Sequence, residues 1–138
     1  MPRVGNEGGS GSPGNAAAAA AGLKSTIVTG TRTSAAGSGV QSVTGAGFAP
    51  LAAILYAYPT GGTVQEGSWG FMDDANVDHT MYITLTLGIN GDTNCIVVYN
   101  QTTESMVAVG TFTSDGVDLT WTKGVTGLDT TFKILFLG

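Results

Sequence analysis

Residues 105–122, SMVAVGTFTSDGVDLTWT, contain the pattern that decides the fold of this chain. β-branched and aromatic residues alternate with small or polar ones on both sides of Ser114-Asp115-Gly116, a tripeptide typical of a tight turn. The stretch therefore predicts two strands, over residues 105–113 and 117–122, joined by a short turn.

The same pattern recurs from residue 25 onward. Further strands are predicted between turns that contain Gly, Pro or Asn, over residues 25–33, 40–44, 51–58, 67–72, 81–87, 95–99 and 131–137. Short strands in this number, with turns every ~8–12 residues, are typical of a β-sandwich or barrel. We predict an all-β fold, an antiparallel β-sandwich of jelly-roll type, with another antiparallel sandwich as the alternative.

Three segments make more specific predictions. In residues 81–87, strict alternation predicts one inward set and one outward set, namely Met81, Ile83, Leu85 and Leu87 inward and Tyr82, Thr84 and Thr86 outward. Asn90-Gly91 predicts a hairpin turn within residues 88–92. Residues 131–137 are apolar on both faces, with Phe132, Ile134 and Phe136 on one and Leu135 and Leu137 on the other. We expect both faces of this last strand to be covered.

Residues 1–24 differ in composition from the rest of the chain. They are rich in Gly, Ala and Ser, so they cannot bury enough apolar surface to offset the entropy of ordering. The alanine run at 16–21 is too short for a stable isolated helix. We predict an extended N-terminal arm over residues 1–24, ordered on a neighbouring chain, and a β-sandwich domain over residues 25–138.

Charge is low and unevenly distributed. Only 11% of the residues are charged, so we expect other molecules to cover much of the surface. Residues 1–50 hold three basic and one acidic residue, formally +2, whereas residues 51–138 hold two basic and nine acidic residues, formally −7. Nucleic-acid binding needs a basic footprint, so no nucleic-acid partner is predicted. No segment resembles a membrane span or signal peptide, so we expect no membrane association and synthesis in a cytoplasm.

Candidate catalytic groups are few. His79 is the single histidine and Cys95 the single cysteine. Ser105 or Ser114 could join His79 and an aspartate in a triad, but neither serine lies in a nucleophile-elbow sequence. The Gly-rich segment 5–14 lacks the Lys-Ser/Thr ending of a phosphate-binding loop. We therefore predict no enzyme activity, no catalytic residues and no cofactor.

The acidic segment 73–79 contains the candidate metal site. Asp74, Asn76 and Asp78 have the i, i+2, i+4 spacing of oxygen ligands with which a calcium loop begins. His79 replaces the glycine of the helical calcium loop, and the flanking residues are typical of strands. We predict a solvated acidic loop without metal, and keep Asp74, Asn76 and Asp78 as candidate calcium ligands.

The aromatic residues allow two interpretations. Most lie in or beside predicted strands and are expected in the core or in a subunit contact, namely Phe48, Trp69, Phe71, Phe112, Trp121, Phe132 and Phe136. The alternative concerns the tyrosines, which could line a shallow sugar-binding face: Tyr56, Tyr58, Tyr82 and Tyr99.

Four short motifs resemble a known class of domain. They are Gly47-Phe48-x-Pro50-x-Ala52-x-Ile54, Gly70-Phe71, Asp115-Gly116-x-x-Leu119-x-Trp121-Thr122 and Phe132-x-Ile134-Leu135-Phe136-Leu137-Gly138. Together they resemble a β-sandwich domain common in structural proteins of tailed bacteriophages, over residues 44–138. Val117 stands where that domain usually has Phe, and the ending differs from the usual Y-x-A-L-G. The resemblance implies a role on the virion surface and carries no catalytic residues.

These observations predict a virion structural protein made in the host cytoplasm. We expect a capsid decoration or cement protein that binds the major capsid protein or another virion protein through its arm and through contacts between copies. The resemblance, together with the preference of self-associating chains for closed symmetry, favours a homotrimer. The alternative function is a host-receptor or carbohydrate-binding module of a tail or fibre. The small residues of the arm favour the first function, because they let the backbone lie close to a neighbour.

Overall fold

The computed structural model describes residues 22–60, 66–75, 77–84, 88–100 and 103–138. These residues form ten strands: β1 (Ser25–Arg32), β2 (Gly39–Thr44), β3 (Ala52–Pro59), β4 (Ser68–Asp73), β5 (Asp78–Thr84), β6 (Gly88–Asp92), β7 (Ile96–Asn100), β8 (Thr103–Thr113), β9 (Gly116–Lys123) and β10 (Thr130–Leu137). One turn of 3-10 helix, Ser34–Ala36, links β1 to β2. The described part of the chain is therefore all-β apart from this turn.

The strands form two antiparallel sheets that pack as a sandwich. The six-stranded sheet has the order β1-β10-β3-β4-β5-β6, and the four-stranded sheet has the order β2-β9-β8-β7. Neighbouring strands pair antiparallel in both sheets. The predicted all-β antiparallel sandwich is confirmed. The two sheets have six and four strands, and each contains a meander, β3–β6 in the first and β7–β9 in the second. A jelly roll, by comparison, has eight strands in its two sheets.

The core lies between the sheets and is filled by alternate residues of the central strands. Its largest fully buried apolar side chains are Leu55, Met72, Ile96, Met106, Leu119, Trp121, Phe132 and Ile134, together with Phe136. Trp121 of β9 meets Phe132 of β10 across the interior, with ring centroids 5.8 Å apart. Burying a side chain of this size stabilises a fold by ~1.5–3 kcal/mol, so this contact between the sheets is a main source of stability.

Strand β10 lies inside the six-stranded sheet, which explains why its sequence is apolar on both faces. It pairs with β1 on one side and with β3 on the other. Phe132, Ile134 and Phe136 face the core with no exposed surface, as predicted. Leu135 and Leu137 point to the outer face of the sheet and are half-buried there.

The turn between β8 and β9 also binds the connection between β2 and β3. The Asp115 carboxylate accepts hydrogen bonds from the N–H groups of Gly47, at 2.6 Å, and Gly45, at 3.2 Å. The Asp115 carbonyl accepts the N–H groups of Gly45 and Ala46, each at 3.1 Å. At Gly116, a Cβ would lie 2.0 Å from the carbonyl oxygen of Val43, so no larger residue fits without a backbone shift. The Asp-Gly pair therefore fixes the start of the connection that leads from β2 of the four-stranded sheet to β3 of the six-stranded sheet.

Strand β5 alternates between inward and outward residues as predicted, but the inward and outward sets are exchanged. Thr80, Tyr82 and Thr84 face the core and are 5%, 8% and 2% exposed, whereas Met81 and Ile83 are 48% and 39% exposed. The predicted inward direction of Met81 and Ile83 is therefore wrong, as is the predicted outward direction of Tyr82 and Thr84. Leu85, Thr86 and Leu87 lie outside the described residues.

A close approach between the two sheets explains this reversal. Gly70 of β4 pairs with Thr80 of β5, and both face inward. A Cβ on Gly70 would lie 1.8 Å from the carbonyl oxygen of Cys95, which precedes β7. Only small inward side chains fit here, and the Thr80 hydroxyl donates to the carbonyl of Asn94. Contact between backbones thus sets the direction of β4 and β5.

Asn90-Gly91 lies within β6 and does not form a turn. Asn90 pairs with Tyr82 and Gly91 pairs with Met81, both in β5. The connection from β5 to β6 runs through residues 85–87, which the structure does not describe. The hairpin turn predicted at Asn90-Gly91 is therefore wrong, because cross-strand pairing with β5 outweighs the local turn preference.

The described chain begins next to its own C-terminal residue. The Lys24 N–H donates to the Gly138 carbonyl at 2.6 Å, and the Gly138 N–H donates to the Lys24 carbonyl at 3.0 Å. These bonds extend the ladder between β1 and β10 by one residue pair. Of the predicted arm, residues 1–21 lie outside the described residues.

Replacing Gly70 by Ala should destabilise the protein much more than replacing Gly91 by Ala. The added methyl group would meet the Cys95 carbonyl oxygen at 1.8 Å, so the sheets must shift, and we expect a loss of about 3 kcal/mol in the free energy of unfolding. At Gly91 the nearest atom lies at 3.7 Å, an ordinary contact, and a change within about 0.5 kcal/mol is expected. Urea unfolding followed by circular dichroism measures both. Equal, small effects would contradict the close approach.

Candidate functional site

The outer face of the six-stranded sheet carries a group of exposed apolar side chains. We define the apolar face as the eight residues of this group, which are 38% to 69% exposed: Ile27, Ile54, Tyr56, Trp69, Phe71, Met81, Ile83 and Ile89. Single exposed apolar residues are normal on protein surfaces, whereas a contiguous group marks an interaction surface.

Strand register joins these side chains into continuous rows. Leu135 of β10 pairs with Ile27 of β1 on one side and with Ile54 of β3 on the other. Ile54 pairs with Phe71 of β4, and Phe71 pairs with His79 of β5. Because paired residues of adjacent strands lie ~5 Å apart, this first row crosses five strands without a gap.

The next row is aromatic. Tyr56 of β3 pairs with Trp69 of β4, and their ring centroids lie 5.3 Å apart. Tyr58, two residues further along β3, has its ring centroid 5.5 Å from that of Tyr56. The ring planes are tilted by 34° and 36° at these two contacts. We call Tyr58, Tyr56 and Trp69 the aromatic row.

An open, largely apolar depression of about 490 Å³ lies beside the aromatic row. Its walls are formed by outward side chains of β3, β4 and β5 and by the backbone between them, at Ile54, Trp69, Gly70, Phe71, His79, Thr80 and Met81. The depression belongs to the same surface as the apolar face. Five of its lining side chains are outward residues of the two rows, namely Ile54, Phe71 and His79 in the first row, and Trp69 with its paired residue Met81 in the next.

Charged side chains are scarce on this surface. At the described outward positions of the six-stranded sheet, Lys133 and Asp73 are the charged residues, and His79 is ionisable. Lys133 lies on β10 and Asp73 on β4, the two strands that flank β3. Each is two residues along its strand from the position that pairs with Ile54, and in opposite directions. The two opposite charges are therefore placed symmetrically about Ile54.

The outer face of the four-stranded sheet is different. Its outward residues are mostly hydroxyl-bearing or charged, at Ser42, Thr44, Thr111, Asp118, Thr120 and Thr122, with valines at 40, 107 and 109. This is the pattern expected of an antiparallel sheet with one face in water. The six-stranded sheet departs from it, and we take its apolar face as the candidate functional site.

The predictions for the aromatic residues are confirmed in part. Trp121, Phe132 and Phe136 lie in the core, and Phe48 and Phe112 pack against it. Trp69 and Phe71 are 47% and 45% exposed, so they do not lie in the core, and the subunit contact that was the other expectation for them stays a prediction. They point outward because Gly70 between them faces the opposing sheet.

The four tyrosines do not share one surface. Tyr56 and Tyr58 lie on the outer face, whereas Tyr82 points inward and is 8% exposed. Tyr82 stacks on Tyr99 with ring centroids 4.9 Å apart and planes 8° apart. The alternative interpretation, in which all four tyrosines line one face, is therefore wrong. The sequence signal for the observed surface was Trp69-Gly70-Phe71, in which a glycine separates two large side chains.

The acidic loop does not bring its candidate ligands together in the residues described. Asp73 binds the turn itself, since its Oδ1 accepts the N–H groups of Ala75 and Val77 at 3.0 Å each. Asp74 is exposed, and Asn76 lies outside the described residues. Across the described ranges, no group of three or more His, Cys, Asp or Glu side chains could hold a metal ion. The predicted loop without metal stays a prediction, and Asp74, Asn76 and Asp78 stay untested as candidate calcium ligands.

Asp78, the third candidate ligand, is 7% exposed and faces the core. Its Oδ2 accepts the Gly110 N–H at 2.7 Å, and its Oδ1 has no hydrogen-bond partner. Burial raises the pKa of Asp78 above its ordinary value of 3.8. The Gly110 N–H opposes this rise in pKa, and the negative charge of Asp73 adds to it. The neutral acid is therefore favoured more in the folded state than in the unfolded state.

The groups considered for nucleophilic chemistry lie apart. His79 is exposed on the outer face of the six-stranded sheet, and Ser114 lies on the β8–β9 turn of the other sheet. Ser105 lies on β8, and the structure does not describe its side chain. Cys95 is fully buried, its thiol donates to the Ala108 carbonyl at 3.2 Å, and burial raises its pKa. The Cys95 thiol is therefore protonated and shielded, the opposite of a reactive cysteine.

Replacing Asp78 by Asn should remove a pH-dependent loss of stability. Because the pKa of Asp78 is higher in the folded than in the unfolded state, the wild type loses stability as pH rises from about 4 through the folded-state pKa. Asn can accept the same Gly110 hydrogen bond without a charge. The free energy of unfolding of the variant minus that of the wild type should therefore increase between about pH 4 and pH 7. Chemical unfolding at each pH measures it, with Asp74→Asn as the exposed control. A difference that does not change with pH would contradict the assignment.

Within the described ranges, no helix has the length and apolar character needed to cross a membrane. Comparison with protein-family models, with curated proteins and with solved structures finds no match for this chain. The apolar face and the sandwich that presents it are therefore the features from which function is inferred.

Proposed function

We propose that this chain is a structural protein of a bacteriophage particle, a decoration or cement protein that stabilises the shell without catalysis. Its partners are the major capsid protein or another virion protein, and further copies of the chain itself. The observation that supports this proposal best is the apolar face, an outer sheet surface that is expected to be covered by another protein.

The size of the apolar face fits a stable protein interface. Taking ~200 Å² for a fully exposed large side chain, its eight residues present on the order of 800 Å². One partner buries about this area in a standard interface. The apolar face is therefore large enough for a stable interface, although affinity also depends on packing and on the cost of association.

The motifs that resemble phage sandwich domains lie where the fold needs them. Asp115 binds the segment that contains Gly47, at the start of the first motif. Phe48 packs on the C-terminal residue, since a Cβ on Gly138 would lie 2.5 Å from its ring. Trp121 of the third motif meets Phe132 of the fourth in the core. These contacts place three of the four motifs within the sandwich, and the phage role itself is proposed from the sequence resemblance.

The arm, residues 1–24, is proposed as the contact with the shell. Its small residues let the backbone approach a neighbouring surface closely. Its last residue, Lys24, is held to Gly138 by two backbone hydrogen bonds, so a load on the arm reaches the body of the domain directly. The homotrimer predicted from the sequence stays a prediction.

The second candidate function is a host-receptor or carbohydrate contact on a tail or fibre. The aromatic row favours it, because exposed rings in sequence on a sheet offer apolar surfaces on which the C–H faces of sugars can stack. The tilt between neighbouring rings and the surrounding aliphatic residues favour a protein partner over a flat sugar chain. We therefore place this function second.

Particles that lack this chain should assemble but break at a lower temperature than particles that carry it. A protein that binds only the intact shell stabilises that state by mass action. Release of packaged DNA on heating, followed with a DNA-binding dye, measures breakage, and adding back the purified chain is the control. Equal heat resistance together with failure to adsorb to host cells would overturn the decoration role and favour the second candidate.

Removing residues 1–21 should leave a folded body that no longer binds the shell. The truncation keeps Lys24 and its bonds to Gly138, so the ladder between β1 and β10 stays complete. Circular dichroism checks the fold, and co-sedimentation with particles that lack the chain measures binding. Full occupancy by the truncated chain would show that the arm is not the shell contact.

A further inference from the structure

We infer that a second copy of this chain covers the apolar face, packed face to face about a two-fold axis that passes over Ile54. This inference rests on the proposed structural role, since it names the partner that meets the apolar face. It adds the identity of that partner and the symmetry of the contact.

The area of the apolar face suits a pair of this kind. Two copies that each bury on the order of 800 Å² would form an interface of about 1,600 Å², the standard size for a stable complex. A face that covers its own copy makes an isologous contact, which closes with two chains and leaves no free interface. Both apolar faces then leave the solvent together.

The positions of the two charges support a self-complementary contact. Lys133 of β10 and Asp73 of β4 are placed symmetrically about Ile54 of β3. Consider a two-fold axis that lies between the facing six-stranded sheets of two copies. If it passes over Ile54 and is perpendicular to the line from Lys133 to Asp73, it exchanges these two positions. Lys133 of each copy then lies over Asp73 of the other. An apolar interface normally has no unpaired charge, and here the symmetry itself pairs both.

The same axis also matches the large side chains. Neighbouring strands of a sheet lie ~4.8 Å apart, and successive outward residues of one strand lie ~6.8 Å apart. With these spacings, the axis brings Tyr56 of one copy opposite Phe71 of the other. Trp69 comes opposite His79, and Met81 lies close to the axis, near its own copy. The strands of the two copies cross at roughly 70°, nearer to the orthogonal class of sheet packing than to the aligned class.

A capsid protein as the partner of this face would not require such symmetry. The placement of a lysine and an aspartate at equal and opposite offsets from one central isoleucine fits a two-fold pair whose axis passes over the middle of the apolar face. A second copy is therefore the partner that the charges fit, and the shell contact is left to the arm. This arrangement replaces the predicted three-fold cluster with a pair.

Sedimentation velocity of the full chain over roughly 1 µM to 1 mM should show a reversible monomer–dimer equilibrium. Ile54→Asp, at the centre of the face, should raise the dissociation constant of the dimer by ~30-fold or more, the size of a hot-spot effect. Val109→Asp is the matched control, because Val109 and Ile54 are both 44% exposed, on opposite sheets. The control should leave the dimer unchanged. A monomer or a trimer in the wild type, or equal effects of both substitutions, would overturn the pair.

A charge exchange tests the axis itself. Lys133→Asp and Asp73→Lys should each weaken the dimer about tenfold, because each places like charges opposite one another. The double variant restores opposite charges and should recover most of the lost affinity. Melting curves check that each variant is folded, since Asp73 also binds the turn through Ala75 and Val77. A double variant as weak as the weaker single variant would exclude this axis.

The outcome for the pair is separable from that for the proposed function. Binding of the full chain to particles is measured by co-sedimentation alongside its oligomeric state. A chain that is monomeric in solution yet coats particles would overturn the pair and leave the decoration role standing. A dimer that fails to coat particles would support the pair and overturn the decoration role.

Discussion

The approach of Gly70 to the carbonyl oxygen of Cys95 determines which side of β4 and β5 faces the core. Since side chains alternate along a strand, an inward Gly70 forces Trp69 and Phe71 outward. Pairing with β4 passes this direction to β5, where Thr80 points in and Met81 points out. The part of the apolar face on β4 and β5 is therefore a geometric consequence of contact between two backbones, and the placement of hydrophobic residues alone does not explain it.

The same contact explains why the interior is polar at this side of the sandwich. Where the sheets converge, three inward side chains bind backbone groups of the facing sheet or of the segment that leads into it. Ser68 accepts the N–H of Val97, Thr80 donates to Asn94, and Asp78 accepts the N–H of Gly110. The large core residues lie where the sheets are further apart, around Trp121 and Phe132. The interior therefore contains a polar part beside its large apolar core.

This arrangement limits what the sequence could predict. Nine of the ten strands and the inward set of β10 followed from residue type and period, because Phe132, Ile134 and Phe136 form the larger of the two alternating sets of that strand. The period of β5 was equally clear, but period does not determine direction. Hydrophobicity favoured the face of β5 that contains Met81 as the inward face. The short distance between the sheets instead requires the face that contains Thr80 to point inward. That distance depends on residues ~15–25 positions apart in sequence, so the apolar face could not be derived from local patterns.

The pairing of Lys24 with Gly138 determines how the domain would respond to force. A pull on the arm reaches the ladder between β1 and β10 at one end, where Ser25 pairs with Leu137. A pull along the strands loads all eight residue pairs of that ladder in parallel, whereas a pull away from the sheet opens them one after another. The resistance of an anchored domain to detachment is governed by its rate of forced unfolding. In the proposed role, the direction of a pull on the arm would therefore decide how firmly the domain holds to the shell.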